Sequence, residues 1–479
     1  MDHAKPKRST NVELLNRLRD VLGGRRVSRS VTDRVNYGRD LWPRSLLEVR
    51  QGDVPHQPDL IVWPETTEEV SRIVKICSEM KTSLVPFGAG SGMCGGIQPL
   101  CGGVVLDTKR MNRLERLSPE SQLAVCQTGI LGVHLEQELN RRGYTMGHFP
   151  GSFGTSTLGG YLATRSAGQA ATMYGKIEDM VVSLQAVLAD GTIIHTRTAP
   201  RRATGPDFNH VLLGSEGALA VLTRAHMRVH ALPSARVFRS LSFPKLDAGL
   251  EAVRLILRFG LRPTIVRLSD EADTATTINA LGFSVRGCLL ALVFDGDTAQ
   301  TELESGKALE ICRANGGRDQ GEDPARHWYN HRFSEHYRQS PLVAEEKTLL
   351  DTIELVTTWT NVRPVYDAVR KALNRQATVL AHVPHAYPEG CALAFTVLCK
   401  ISAEGEFKRY DRVWQSAMEA ALKSGAVISH AHGIGRQKVR WLAKQNPLAL
   451  TLMQGLKRRL DPNNVLNPGK FTVDVECPC

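Results

Sequence analysis

The amino-acid sequence predicts an α+β protein of two main parts and a returning tail. Two observations carry this reading. A β-α-β unit with a glycine loop begins near Pro58, and after Pro233 the chain changes to strand-plus-helix pairs of a different kind. The 479 residues suit two or three domains, at about 100–200 residues each. With 42% hydrophobic and 23% charged residues, the composition is that of an ordinary globular chain.

Residues 11–22, NVELLNRLRDVL, have the spacing of a short amphipathic helix. DLIVWP is a buried strand. PETTEEVSRIVKICSEM follows as a helix, with Thr66 or Thr67 as N-cap, acidic residues in the first turn, and Val70, Ile73, Val74 and Ile76 on one face. SLVPFGAGSGMCGG is a strand running into a glycine loop, and GGVVLDT is the next strand. LAVCQTGI, LGVHLEQELNRRG and YTMGHFPGS repeat the strand–helix–loop theme. VVSLQAVLAD and GTIIHTR are strands meeting at Asp190–Gly191, a hairpin signal, and AVLTRAHMRVH is another strand. Beyond Pro233, LSFPKLDAGLEAVRLILRFG and LLALVFDGDTAQTELESGKALEICRANGG each read as strand plus helix, as does ALAFTVLCK with residues 405–423. NPLALTLMQGLKRRL is a helix stopped by Asp461–Pro462, before a turn-rich strap.

Three glycine-rich clusters carry the chemistry. Pro86, Phe87, Gly88, Ala89, Gly90, Ser91 and Gly92 follow a strand, where backbone N–H groups can approach an anion closely. The loop is neither GxGxxG nor a Walker motif. In the second cluster, Pro150, Gly151, Ser152, Thr155, Ser156 and Gly159, then Thr164, Arg165, Ser166 and Ala167, offer mostly small side chains against which a flat ring can lie. The third contains Glu216 and Gly217, with Val221 just beyond. Singly, each is equally well a tight turn.

In this order the clusters resemble the FAD-binding domain of the vanillyl-alcohol oxidase superfamily, the PCMH type. The resemblance implies a two-subdomain FAD-binding domain over 55–235, preceded by an N-terminal helical segment, 1–54. It also implies an α+β cap domain with an antiparallel sheet over 236–425, and a segment, 426–479, returning to the FAD domain. It assigns the cluster residues named above to FAD. Some relatives attach flavin covalently through His or Cys; this first loop has no His, and Cys94 reads as a packed thiol, so non-covalent FAD is expected.

Within the superfamily, GHFPGSFGTSTLGGYLATRSAG, RPTIVRLSD, AHVPHAYPEGCALAFTV and VISHAHGIG are similar to the alkylglycerone-phosphate synthase branch. That likeness implies exchange of an acyl group for a fatty alcohol on acyl-dihydroxyacetone phosphate, with the flavin as electrophile and no net redox change. It implies catalytic roles for Tyr387 as base, its pKa lowered by Arg267 or His432, and for His430, His432, Arg267 and His148. Two positions depart from the branch: Ala431 replaces the middle histidine of a triplet, and Asn361 stands where a phosphate-binding arginine is expected, with Arg363 as a candidate substitute.

The alternative is oxidation of a 2-hydroxy acid, as in D-lactate dehydrogenase or glycolate oxidase. Relatives of that kind bind metal through HxxxxxxH plus a Glu-His pair; here Glu389 and Ala431 break the set, so no metal is expected. A silent flavin- or lipid-binding protein is a third reading, opposed by intact Tyr387, His432 and Arg267.

The net charge of +11 comes from dispersed basic residues without a nucleic-acid motif. It suits an anionic membrane surface or a phosphorylated substrate, with a homodimer compatible. No apolar run spans a bilayer, and no secretion signal or SKL ending is present. A cytoplasmic protein, membrane-peripheral at most, is expected. Its ten cysteines should be free thiols in a reducing compartment, with Cys477 and Cys479 on a frayed tail.

Overall fold

The structure is a computed structural model, and it describes residues 8–334, 348–400, 405–472 and 475–478. Its first sheet has Leu60–Val62 and Leu84–Phe87 parallel to the central Val104–Asp107, with Val27–Ser28 at the edge. The helix Thr67–Glu79 connects two of these strands. Thr66 is its N-cap: the Oγ1 accepts from the Glu69 N–H at 3.1 Å. Val70, Ile73, Val74 and Ile76 are buried against the sheet, together with Leu14, Leu15, Leu18 and Leu22 of the first helix, Arg8–Leu22.

The second sheet has five antiparallel strands, in the order Leu114–Ser118, Leu123–Gln127, Val221–Arg228, Val181–Val187 and Ile193–His195. The last two form the hairpin expected at Asp190–Gly191. Asp190 Oδ1 accepts from the Thr192 N–H, and Gly191 takes φ +87, a conformation glycine adopts without steric cost.

Beyond Pro233 lies an eight-stranded antiparallel sheet. The helices Leu246–Arg258, Thr298–Ala314, Val362–Leu373 and Glu406–Lys423 cover one face. Strand periodicity sorts the side chains. Val266 and Leu268, Ile353 and Leu355, Ala381 and Val383, and Leu393 and Phe395 pack into the helix-side core. Their alternates Arg267, Glu354, His382, Ala394 and Thr396 face the large cavity toward the half built on the first two sheets.

Two segments tie the halves together. The helix Pro43–Arg50 seats Leu47 in the cap core, while Trp42 Nε1 donates to Tyr410 Oη at 2.9 Å and Arg44 pairs with Asp411 at 2.7 Å. The tail returns beside the first sheet, where the Leu84 N–H donates to Val465 O and the Asn467 N–H to Leu84 O. Here one expectation is overturned. Cys101 and Cys477 form a disulfide across 376 residues, with Cα atoms 5.5 Å apart. The returning strap brings them together, and no local spacing signals the pair. Seven other cysteines are free and buried; Cys479 lies outside the described residues. Among the described residues, no helix is long and apolar enough to cross a membrane.

Candidate flavin site and the histidine–carboxylate cluster beside it

A cavity of about 950 Å³ lies between the glycine loops and the exposed face of the large sheet. Of the twenty residues the sequence assigned to FAD, nineteen line it. The exception is Arg165, which takes φ +51 after the short helix Leu158–Thr164 and donates to Leu213 O and His210 O, thereby holding the turn before Gly214.

The first two loops touch. Ser91 Oγ lies 2.6 Å from Ser156 Oγ, which donates to Ser152 Oγ at 2.7 Å. Lys109 Nζ donates to Gly88 O at 2.9 Å and sits over the Phe87 ring. Gly90 adopts φ +68, and a Cβ there would come 2.7 Å from the Phe87 ring. Such a side-chain-free cradle beside lysine fits a pyrophosphate. Glu216, buried, accepts from the Ile434 and Gly435 N–H groups at the start of the helix Gly435–Gln445. Burial pushes its carboxyl up, and those backbone donors oppose the shift. The carboxylate pins the third loop to the C-terminal segment. Cys94 also lines the cavity, and burial pushes its thiol up to about 12.

Opposite the loops, the wall includes Arg267, Glu354, His382, His385 and His432. Tyr387 and His430 are behind it. Tyr387 Oη lies 2.8 Å from His430 Nε2, and His430 Nδ1 lies 3.4 Å from Glu354 Oε1. His432 Nδ1 approaches the other Glu354 oxygen at 3.8 Å. Glu354 is therefore the hub, and the sequence reading missed it: nothing in ELVTT marks one glutamate until the sheet turns it inward. Burial alone would raise its carboxyl, but His432 and His430 outweigh that and hold it well below the usual range. The Tyr387 phenol is pushed up by burial and by Glu354, which corrects the expectation of a tyrosine acidified by Arg267 or His432. Arg267 instead pairs with Asp273 at 3.1 Å.

His148 is fully buried off the cavity wall, its Nε2 3.2 Å from Ser166 Oγ, and burial lowers it to about 3. It is a neutral support of the second loop. Arg363, the proposed phosphate ligand, is on the surface with Asp247 and Asp367, while Asn361 donates to Ser424 O. Neither lines the cavity. The expectation of no metal site also meets a counter-observation: Glu354, His385 and His430 are buried, with one ligand atom each within 4.8 Å of the others.

A glycine-loop cradle facing an antiparallel cap across one cavity defines a two-domain flavoenzyme. Residues 58–197 match the FAD binding domain family, and residues 232–471 match the family described as FAD linked oxidases, C-terminal domain. The chain belongs to the FAD-linked oxidases, and its cofactor is FAD. It is similar to an alkyldihydroxyacetonephosphate synthase of Dictyostelium discoideum, 30% identical over 92% of this chain and 77% of that protein. It is also similar to a probable mitochondrial D-lactate dehydrogenase of Danio rerio, 29% identical over 94% of this chain and 90% of that one. A solved alkyldihydroxyacetonephosphate synthase superposes with a TM-score of 0.83 at 26% identity, covering 98% of this chain and 86% of its own.

Proposed function

We propose that this flavoenzyme exchanges the acyl group of an acyl-dihydroxyacetone phosphate for a fatty alcohol and so forms an ether. The observation carrying this reading is the continuous set His432–Glu354–His430–Tyr387 on and behind the cavity wall, together with similarity to the synthase over 92% of the chain. Residues 86–92 would hold the pyrophosphate, and residues 150–167 the ring system. When bound, FAD supplies an electrophilic centre for the substrate carbon. The protein's part is proton handling. His432 meets the substrate at the wall and takes the proton at the ring nitrogen remote from Glu354. The ionised Glu354 stabilises the resulting imidazolium. Its other oxygen accepts from His430 Nδ1–H, leaving His430 Nε2 to accept from the Tyr387 hydroxyl. The same set gives that proton to the leaving carboxylate, takes one from the alcohol and returns it to the substrate carbon, so the cycle ends with no proton gained or lost. Ether formed from acyl-dihydroxyacetone phosphate and hexadecanol, with no consumption of an electron acceptor, is the expected assay result. Lack of ether product by FAD-loaded protein would overturn the reading.

A second reading, oxidation of a 2-hydroxy acid, is supported by the Glu354–His385–His430 group and by the D-lactate dehydrogenase relative. His385 Nδ1 and Glu354 Oε2 make no hydrogen bond, as ligands awaiting a cation would not. Metal analysis decides between them. The synthase reading expects less than 0.1 equivalent of transition metal (roughly the background of adventitious binding) and activity that survives chelation. Near-stoichiometric metal and bleaching of the flavin by D-lactate would favour the oxidase.

A further inference from the structure

Among the described residues, a guanidinium at the junction of two cavities has no anion bonded to it. Arg332 follows the helix Asp323–His331 and lines both the flavin cavity and a second space of about 520 Å³. Its Nε is buried and makes no hydrogen bond. Its remaining partners are the Tyr329 carbonyl and the faces of Tyr329 and Phe333, at 3.6 and 4.4 Å. Nearby carboxylates among the described residues are engaged elsewhere. Asp295 holds Arg236 at 2.5 and 2.9 Å, Asp273 holds Arg267, and Glu136 accepts from the Met146 N–H and Asn140.

Arg267 adds to the same surface. Its Nε is also buried without a hydrogen bond, and its guanidinium lies 5.4 Å from the centre of the Trp328 ring, one helical turn before Arg332. Two guanidinium Nε donors without an acceptor among the described residues thus belong to residues lining one cavity. Desolvating a cation without an anion is costly, because neither ring faces nor one carbonyl replace its lost hydration. Planar guanidinium suits the paired oxygens of a carboxylate or phosphate.

We propose that Arg332 receives the anionic group of the substrate, a carboxylate or a phosphate monoester, in the flavin cavity beside Trp328. This rests on the reading of that cavity as the reaction site and names the substrate class it selects. It also supplies the cation that Asn361 and Arg363 do not.

The test is titration of FAD-loaded protein with dihydroxyacetone phosphate and, separately, D-lactate, following the flavin absorbance, on wild type, Arg332→Met and Arg332→Lys. The FAD content and thermal midpoint of each variant are measured on the same preparations. Wild type should bind at least one anion. Arg332→Met should weaken that binding at least tenfold with FAD retained, and Arg332→Lys should restore part of it. If Arg332→Met loses FAD or unfolds, the comparison is made on Arg332→Lys, whose retained charge without the planar fork should still weaken binding severalfold. Affinity unchanged within twofold in the folded variants, or no binding of either anion by wild type, overturns the proposal. The two readings fail separately. Binding of D-lactate alone through Arg332 would sink the synthase reading and keep this one. Ether synthesis at unchanged KM in Arg332→Met would do the reverse.

Discussion

Glu354 shows how one side chain organises chemistry that neither of its neighbours in sequence announces. It sits between Ile353 and Leu355, both buried in the helix-side core, and strand alternation alone sends it to the other face among histidines. Its carboxyl is held below the usual range, so the sign of its contribution follows directly. The stabilisation is present above the unfolded pKa and is lost as pH falls through the lower folded value. Glu354→Gln should therefore flatten the acid limb of a stability–pH profile as well as slow turnover; an unchanged acid limb would mean the ion pairs contribute nothing. Tyr387→Phe removes one hydroxyl and leaves the glycine loops untouched. It should retain FAD and lose turnover by roughly tenfold, the scale of one lost hydrogen bond to His430, whereas His432→Gln should lose roughly a hundredfold as the proton-taking base. Flavin content and rate measured on one preparation test this, and a fully active Tyr387→Phe would remove the phenol from the proton-handling set.

Among the elements, the first glycine loop is set by its neighbours on both sides. Gly90 needs its positive φ and its missing Cβ because Phe87 folds under it, so substitution there strains the backbone whatever the ligand. Ala89 is the cleaner probe, since it already has a Cβ and lines the cavity. Ala89→Asp places a carboxylate where pyrophosphate is expected, and like-charge repulsion should give folded but colourless protein. Circular dichroism and the visible spectrum read the two properties separately, and normal yellow colour would move the pyrophosphate elsewhere. At the helix Thr67–Glu79, Thr66→Ala should cost about 1 kcal/mol by leaving the Glu69 N–H without its cap.

On the scale of the whole molecule, the chain closes on itself through its tail. The Cys101–Cys477 bridge clamps the strap that also contacts Leu84 through Val465 and Asn467. Peptide mapping without reductant should recover the cross-linked pair. Reduction or Cys477→Ser should then lower the unfolding free energy by about 2–4 kcal/mol, the usual scale of such cross-links, seen as a lower denaturation midpoint. Heat precipitation should leave FAD in the supernatant, because the buried Cys94 thiol is pushed up to about 12 and forms little of the thiolate that a covalent link would need. Flavin retained in the pellet would contradict this.

The sequence by itself determined the elements and the glycine loops. Capping at Thr66, the hairpin at Asp190–Gly191 and the glycine clusters depend on neighbours within a few residues, where propensity and backbone freedom act directly. The family resemblance, carried by the order of those clusters, singled out the nineteen residues that line the cavity. Only the tertiary structure decided which charged groups meet. Arg363 turned outward to Asp247, Arg332 turned inward, Tyr387 was raised rather than acidified, and Cys101 found Cys477. Pairing and desolvation depend on distances through space between residues far apart in the chain, and no local spacing encodes them.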